Sequence, residues 1–118
     1  MSLKKRVDSF RFAIQGLKEL FRTQANAQIH LAATVLVVGA GLYFGISRLE
    51  WVAVVLCIAL VIGSEALNTA VENLTDLVSP EHHPLAGKAK DVAAAAVLLA
   101  AIAAILVAAL IFFPRLFA

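Results

Sequence analysis

The sequence predicts an all-α membrane protein in which three transmembrane helices follow an amphipathic helix at the membrane surface. Hydrophobic residues make up 62% of the 118 residues, and the mean hydropathy is +0.91, which is more apolar than an ordinary soluble domain. Long runs without charged residues alternate with short polar segments. A single domain, residues 1–118, that crosses a bilayer three times accounts for both observations.

The amino-terminal segment, residues 2–22, predicts the surface helix. Basic residues separate apolar ones, and such a helix lies with its apolar face in the acyl boundary and its cations near anionic headgroups. Alternatively, the apolar face of this helix packs against the rest of the protein. No nucleic-acid signature accompanies the basic residues, and no cleavable signal peptide is predicted. The apolar positions recur at steps of three and four: Leu3, Val7, Phe10, Ile14, Leu17 and Phe21.

The first predicted span, residues 29–46, is 18 residues long and has no charge apart from His30 at its start. Its length corresponds to about 27 Å of helix, close to the thickness of the hydrocarbon core. Gly39 and Gly41 within it are predicted points of close approach between helices.

The second and third spans are predicted at residues 51–74 and 92–113. Trp51 begins the second and suits the aromatic belt at a membrane surface. The third has 22 residues without a charge, ten of them alanine, and Pro114 is predicted to end it. Alanine-rich faces allow close approach of helices, which favours a tight bundle or a homo-oligomer.

The connection between these two spans carries prolines and histidines. Pro80 and Pro84 predict an end to the second helix, with residues 81–88 as a short loop. His82 and His83 favour loop packing or a nucleotide contact over a zinc site, because adjacent side chains rarely converge on one ion.

Basic residues near the span ends predict the orientation of the protein. The amino-terminal segment and the connection after the second span carry eight Lys and Arg residues, and the opposite side carries two. The positive-inside rule therefore predicts a multi-pass protein of the cytoplasmic membrane, with its amino terminus and the polar connection in the cytoplasm.

Most of the polar chemistry lies in one stretch, residues 64–91. Four of its residues, which we call the polar stripe, are Glu65, Asn68, Glu72 and Asp76. At about 100° per residue they share one helix face within roughly 80°. Because an ionisable group at membrane depth is energetically costly, such a stripe is first interpreted as functional.

The spacing of Glu65 and Glu72 alone leaves three interpretations open. One carboxylate could be a general base and the other a metal ligand, both could bind a cation in transit, or both could be structural. Lys90 and Asp91, just before the third span, favour a nucleotide site, since a lysine and a Mg²⁺-binding carboxylate neutralise a polyphosphate. The chain has no P-loop motif.

The motif Glu65-Ala-Leu-Asn68-Thr-Ala-Val-Glu72, followed by Asp76 and by Gly87-Lys-Ala-Lys90-Asp91, resembles the signature of a known family. The family is the small bacterial membrane lipid kinases, which comprises prokaryotic diacylglycerol kinases and undecaprenol kinases. The resemblance implies a homotrimer of three-span protomers with a surface helix. It also implies ATP and Mg²⁺ on the cytoplasmic side and a lipid alcohol in the membrane.

The resemblance further implies a role for each matching residue. Glu65 matches the catalytic base, and Glu72 matches a metal ligand. The family commonly has a second metal-binding glutamate where this chain has Gln24, a weaker ligand for a hard cation, so Gln24 is a doubtful metal site. The positions that match nucleotide contacts are Lys5, Phe12, Asn68, Glu72, Glu81, His83, Lys90 and Asp91.

The sequence thus predicts ATP-dependent phosphorylation of a membrane lipid alcohol. The segment around Asn26 and His30 and the 79–84 connection resemble the undecaprenol kinase branch more than the diacylglycerol kinase branch. A diacylglycerol kinase is the alternative. A proton-coupled multidrug transporter of similar length is less favoured because four spans would be expected, and a non-catalytic adaptor because it would need no carboxylates at this depth.

Overall fold

The protein is a bundle of four helices. A computed structural model describes residues 2–118, with α1 at Leu3–Thr23, α2 at Ala25–Phe44, α3 at Arg48–Val78 and α4 at Pro84–Leu116. No strand occurs among the described residues, and α2, α3 and α4 are each long and apolar enough to span a membrane. The predicted all-helical membrane protein with three candidate spans is therefore confirmed.

The two longest helices extend beyond a bilayer core. With 31 and 33 residues, α3 and α4 are about 46 and 50 Å long, against a hydrocarbon thickness of about 30 Å. They form an antiparallel hairpin with extensive mutual packing. The end of α3 and the beginning of α4 therefore reach past the apolar layer, and this part of the hairpin carries most of the polar residues.

The connection between α3 and α4 is shorter than the sequence predicts. Residues 81–88 were expected to form a loop, but α4 already begins at Pro84. Proline is favourable at the first helical position, and Nδ1 of His83 caps the helix by accepting the N–H of Leu85 at 3.1 Å. Lys90 and Asp91 consequently lie on a helix whose orientation is fixed by its packing on α3.

The other end of α4 also continues beyond its predicted limit. Pro114 lies inside the helix, which ends at Leu116, because a proline in the last turn removes only one backbone donor. Arg115 donates to the carbonyl of Ile111 at 2.7 Å and binds both carboxylate oxygens of Glu50 at 2.7 and 2.8 Å. This pair joins the end of α4 to the beginning of α3.

A small apolar core lies beside this ion pair. Ile46, Val54 and Ile111 are buried in it, and Trp51 packs against it. A Cβ at Gly41 would lie 2.7 Å from the Trp51 ring, so Gly41 is the close-approach position that the sequence predicts. Gly39 has no other side chain or backbone of the described residues within 4 Å of such a Cβ, so the predicted close approach at Gly39 is not made by the helices of one chain.

Much apolar surface stays uncovered in a single protomer. Along α1 only Leu20 is buried, and seven apolar residues are buried in the described chain as a whole. A water-soluble protein of this size would bury many more, because apolar burial is the main favourable term in folding. The large apolar side chains exposed on α1 are Leu3, Val7, Phe10, Phe12, Ile14 and Leu17.

Candidate active site

The polar stripe lies along α3 with a gradient of exposure. Glu65 is buried, with 2% of its surface exposed, Asn68 and Glu72 are half-buried, and Asp76 is exposed. Measured along the helix from Trp51, Glu65 is at about 21 Å, Glu72 at about 31 Å and Asp76 at about 37 Å. With Trp51 at one membrane surface, as the sequence predicts, the stripe runs from inside a hydrocarbon layer of about 30 Å to beyond its edge.

Glu65 meets a residue of a different helix. Nε2 of His30, on α2, lies 3.3 Å from Oε1 of the Glu65 carboxylate. The distance is that of an ion pair, but Oε1 receives no hydrogen bond from any described residue. The catalytic-base candidate is thus a buried carboxylate with an imidazole beside it and an oxygen that can still accept a hydrogen bond.

Asn68 connects the buried and half-buried parts of the stripe. Its Nδ2 donates to Oε1 of Glu72 at 3.4 Å, as side chains four residues apart on a helix can do. Its Oδ1 is buried and receives no hydrogen bond from the described part of the chain. Buried polar atoms without partners are rare in proteins and commonly mark a place where a ligand or water completes the bonding.

Lys90 joins the stripe from α4. Its Nζ lies 2.5 Å from Oδ1 of Asp76. The hydrogen bond from Lys90 to Asp76 raises the pKa of Lys90, which precedes the third predicted span, and the charges of Asp76 and Glu72 raise it further. The lysine is therefore firmly cationic and close to two carboxylates, as a group that binds phosphate or metal-bound phosphate must be. Asp91 follows it and is exposed.

Two further predicted residues lie in the short connection. Glu81 is exposed. His83 caps α4 through Nδ1, so in its neutral form Nε2 carries the proton and can donate a hydrogen bond to a ligand. The capping function of His83 was not predicted from the sequence.

The amino-terminal candidates are not joined to the stripe within one protomer. Lys5 and Phe12 are exposed on α1, and the guanidinium of Arg11 lies 5.7 Å from the centre of the Phe12 ring. Gln24 is half-buried between α1 and α2, and its Nε2 donates to Thr23 at 3.3 Å. No hydrogen bond or ion pair among residues 2–118 links Lys5 or Gln24 to the stripe.

The stripe offers a partial ligand set for a magnesium ion. No three His, Cys, Asp or Glu side chains in the described chain lie close enough together to hold a metal by themselves. Mg²⁺ does not need such a cage, since it commonly binds one or two carboxylates together with waters and substrate phosphates. The Glu72 carboxylate and the unpaired Oδ1 of Asn68 are oxygen donors of the kind it prefers.

The contact between His30 and Glu65 is the main feature of the site that the motifs did not predict. The available signal was the position of His30 as the one basic residue in its predicted span. An ionisable group at that depth requires a partner. The first and second spans run in opposite directions, so the beginning of one lies at the level of the end of the other, where Glu65 occurs.

Comparison with known proteins agrees with the family resemblance of the sequence motif. A family model described as prokaryotic diacylglycerol kinase matches residues 11–112. The undecaprenol kinase of Bacillus subtilis (strain 168) is 42% identical over 108 residues, which are 92% of this chain and 88% of that protein.

Two relatives named diacylglycerol kinase are also similar. The one from Synechocystis is 42% identical over 109 residues, covering 92% of this chain and 62% of that protein. The one from Escherichia coli (strain K12) is 30% identical over 95 residues, covering 80% of this chain and 78% of that protein.

Proposed function

The chain belongs to the prokaryotic diacylglycerol kinase family and is a lipid kinase of bacterial membranes, and from this premise we propose that it phosphorylates a lipid alcohol with ATP and Mg²⁺. Undecaprenol is the favoured substrate and diacylglycerol the alternative. The observation that carries the proposal is the buried Glu65 carboxylate on the same helix face as Glu72 and as Asp76, which contacts Lys90.

The increase in exposure along the stripe supports different roles for its two glutamates. Glu65 lies within the apolar layer, where a lipid hydroxyl arrives with its tail still in hydrocarbon. Glu72, about 10 Å further along the helix, lies at the edge, where a nucleotide arrives from water. A site that joins one substrate from each phase needs this order of groups.

In the proposed reaction Glu65 accepts the proton of the lipid hydroxyl while the hydroxyl oxygen forms a bond to the γ-phosphorus. The bond from that phosphorus to the bridging oxygen of ADP breaks, and ADP leaves. Glu72, with Gln24 as a weaker candidate, would hold Mg²⁺, which neutralises phosphate charge when it is bound. Lys90 compensates charge on the phosphates.

The remaining candidates are proposed to hold the nucleotide. Asn68 orients Glu72 through its amide and offers Oδ1 to the bound metal or its water. Asp91 and Glu81 lie on the aqueous side of the hairpin, and His83 can donate from Nε2 while it caps α4. Lys5 and Phe12 on α1 are proposed to contact the phosphates and the adenine.

We further propose that α1 lies on the cytoplasmic surface and that the protein is a homotrimer. Most large apolar side chains along α1 are exposed, as expected for a helix at the interface, and the basic residues favour a cytoplasmic location. Among the described residues no hydrogen bond or ion pair joins Lys5 or Gln24 to the stripe, and a neighbouring protomer can supply such a contact. The alanine-rich α4 provides a surface for such close packing.

The choice between the two lipids rests on the sequence resemblance and on the similarity to an undecaprenol kinase over 88% of that protein's length. A diacylglycerol kinase is equally identical, but the match covers 62% of its length. These figures favour the polyprenol modestly, and an assay decides between the lipids.

The test supplies the purified protein with radiolabelled ATP, Mg²⁺ and either undecaprenol or diacylglycerol in detergent. We expect label to reach undecaprenol faster than diacylglycerol. Glu65→Gln should abolish transfer and leave the oligomer assembled, because the amide keeps the shape of the side chain but cannot accept the proton. Transfer to neither lipid would contradict the kinase proposal, faster transfer to diacylglycerol would reverse the substrate preference, and loss of assembly would assign Glu65 a structural role.

A further inference from the structure

His30 and Glu65 are 35 positions apart in the sequence and meet between α2 and α3. The side chain of Glu65 is 3% exposed and that of His30 is 22% exposed. Their closest atoms, Oε1 and Nε2, are 3.3 Å apart. The imidazole is therefore the nearest group that can donate a proton or a positive charge to this carboxylate.

The groove beside His30 is mostly apolar. His30 forms one end of a groove of about 90 Å³ between α2, α3 and α4, which is lined further on by Thr34, Cys57, Val61 and Ala104. The hydroxyl of Thr34 donates to the backbone carbonyl of His30 at 2.8 Å, so it is engaged locally.

A buried carboxylate takes its direction from the groups that contact it, because little water reaches it to compete for its oxygens. Among the described residues, His30 is the one basic side chain within ion-pair distance of the Glu65 carboxylate. The imidazole at 3.3 Å therefore limits the directions in which the carboxylate can point.

We propose that His30 is a positioning residue for the phosphoryl transfer, which keeps the Glu65 carboxylate directed at the substrate hydroxyl. The inference rests on the proposed function of Glu65. His30 acts through Nε2, and the contact is made from α2, so the base on α3 is active only when the two helices are packed together.

Two substitutions of His30 by amide side chains of different length test whether the contact with Glu65 matters or only the presence of a polar residue. The amide nitrogen of glutamine reaches approximately as far as Nε2 of histidine, and that of asparagine only as far as Nδ1. We expect His30→Gln to retain kcat within about tenfold of the parent, and His30→Asn to lose about 10- to 100-fold in kcat because the base is misplaced. KM for ATP should change less than about twofold in both, because ATP binding does not involve this contact.

The matched control is Thr34→Val, which alters the same groove one turn further along α2 without touching Glu65, and which should keep the parent kcat. Thermal unfolding provides a second readout: His30→Asn and Glu65→Gln should show a non-additive effect in the double variant. Parent kcat in His30→Asn would overturn the inference. So would a His30→Gln variant as inactive as Glu65→Gln, since His30 would then transfer the proton itself.

The outcomes also separate this inference from the proposed function. If Glu65→Gln retains activity, Glu65 is not the base and the proposed mechanism fails whatever His30 does. If Glu65→Gln is inactive while His30→Asn equals the parent, the mechanism stands and the positioning role of His30 is wrong.

Discussion

Lys90 of α4 and Asp76 of α3 form an ion pair, with 2.5 Å between Nζ and Oδ1, that closes the polar end of the α3–α4 hairpin. Both side chains are partly exposed, at 39% and 62%. Water screens such pairs and they contribute little net stability. Lys90 can therefore exchange Asp76 for a phosphate group at little cost to the fold.

The first prediction concerns the charge of Lys90. Lys90→Ala should raise KM for ATP and lower kcat/KM by about 100-fold, because a cation that neutralises phosphate charge is removed. Lys88→Ala is the control, since Lys88 is exposed two residues earlier on the same helix and should have little effect. Steady-state kinetics with varied ATP measure both, and equal kinetics in the two variants would show that Lys90 does not contact the nucleotide.

Glu72 should determine the magnesium dependence. Glu72→Gln replaces a charged oxygen donor with a neutral amide, and a hard cation binds an amide more weakly. We expect the Mg²⁺ concentration for half-maximal activity to rise about tenfold. Glu19→Gln is the control, because Glu19 lies on α1 in an exposed ion pair with Arg22. An unchanged Mg²⁺ titration in Glu72→Gln would contradict the metal role.

Gln24→Glu should have the opposite effect. A carboxylate at this half-buried position between α1 and α2 would add a charged oxygen at the place where the family commonly has a glutamate. We expect half-maximal activity at about threefold lower Mg²⁺, because carboxylates are stronger ligands for this ion than amides. A titration that superimposes on the parent curve would remove Gln24 from the metal site.

The helical architecture was predictable because its signals are local. Long apolar runs predict membrane-spanning helices in general, and here they predicted α2, α3 and α4. The helical repeat alone places Glu65, Glu72 and Asp76 on one face. These features do not depend on how the helices pack against each other.

The features that were missed depend on packing or on helix ends. The contact of His30 with Glu65 depends on the rotation of α2 against α3, which no local pattern specifies. The start of α4 at Pro84 was missed because a proline both ends one helix and begins another, and the capping bond from Leu85 to His83 decides which occurs. Pro114 similarly lies close enough to the helix end to be tolerated.

Gly39 and Gly41 look equivalent in the sequence but differ in the structure, which gives the last prediction. A Cβ at Gly41 would meet the Trp51 ring at 2.7 Å, whereas one at Gly39 would meet nothing in the protomer within 4 Å. Gly41→Ala should lower the free energy of unfolding by about 1–3 kcal/mol through overpacking. Gly39→Ala should leave it unchanged or raise it by up to about 1 kcal/mol, since alanine favours helix more than glycine does. Thermal or denaturant unfolding in detergent measures both. A larger loss in Gly39→Ala than in Gly41→Ala would contradict the packing of Trp51 on α2 and would place the closer contact at Gly39, against another protomer.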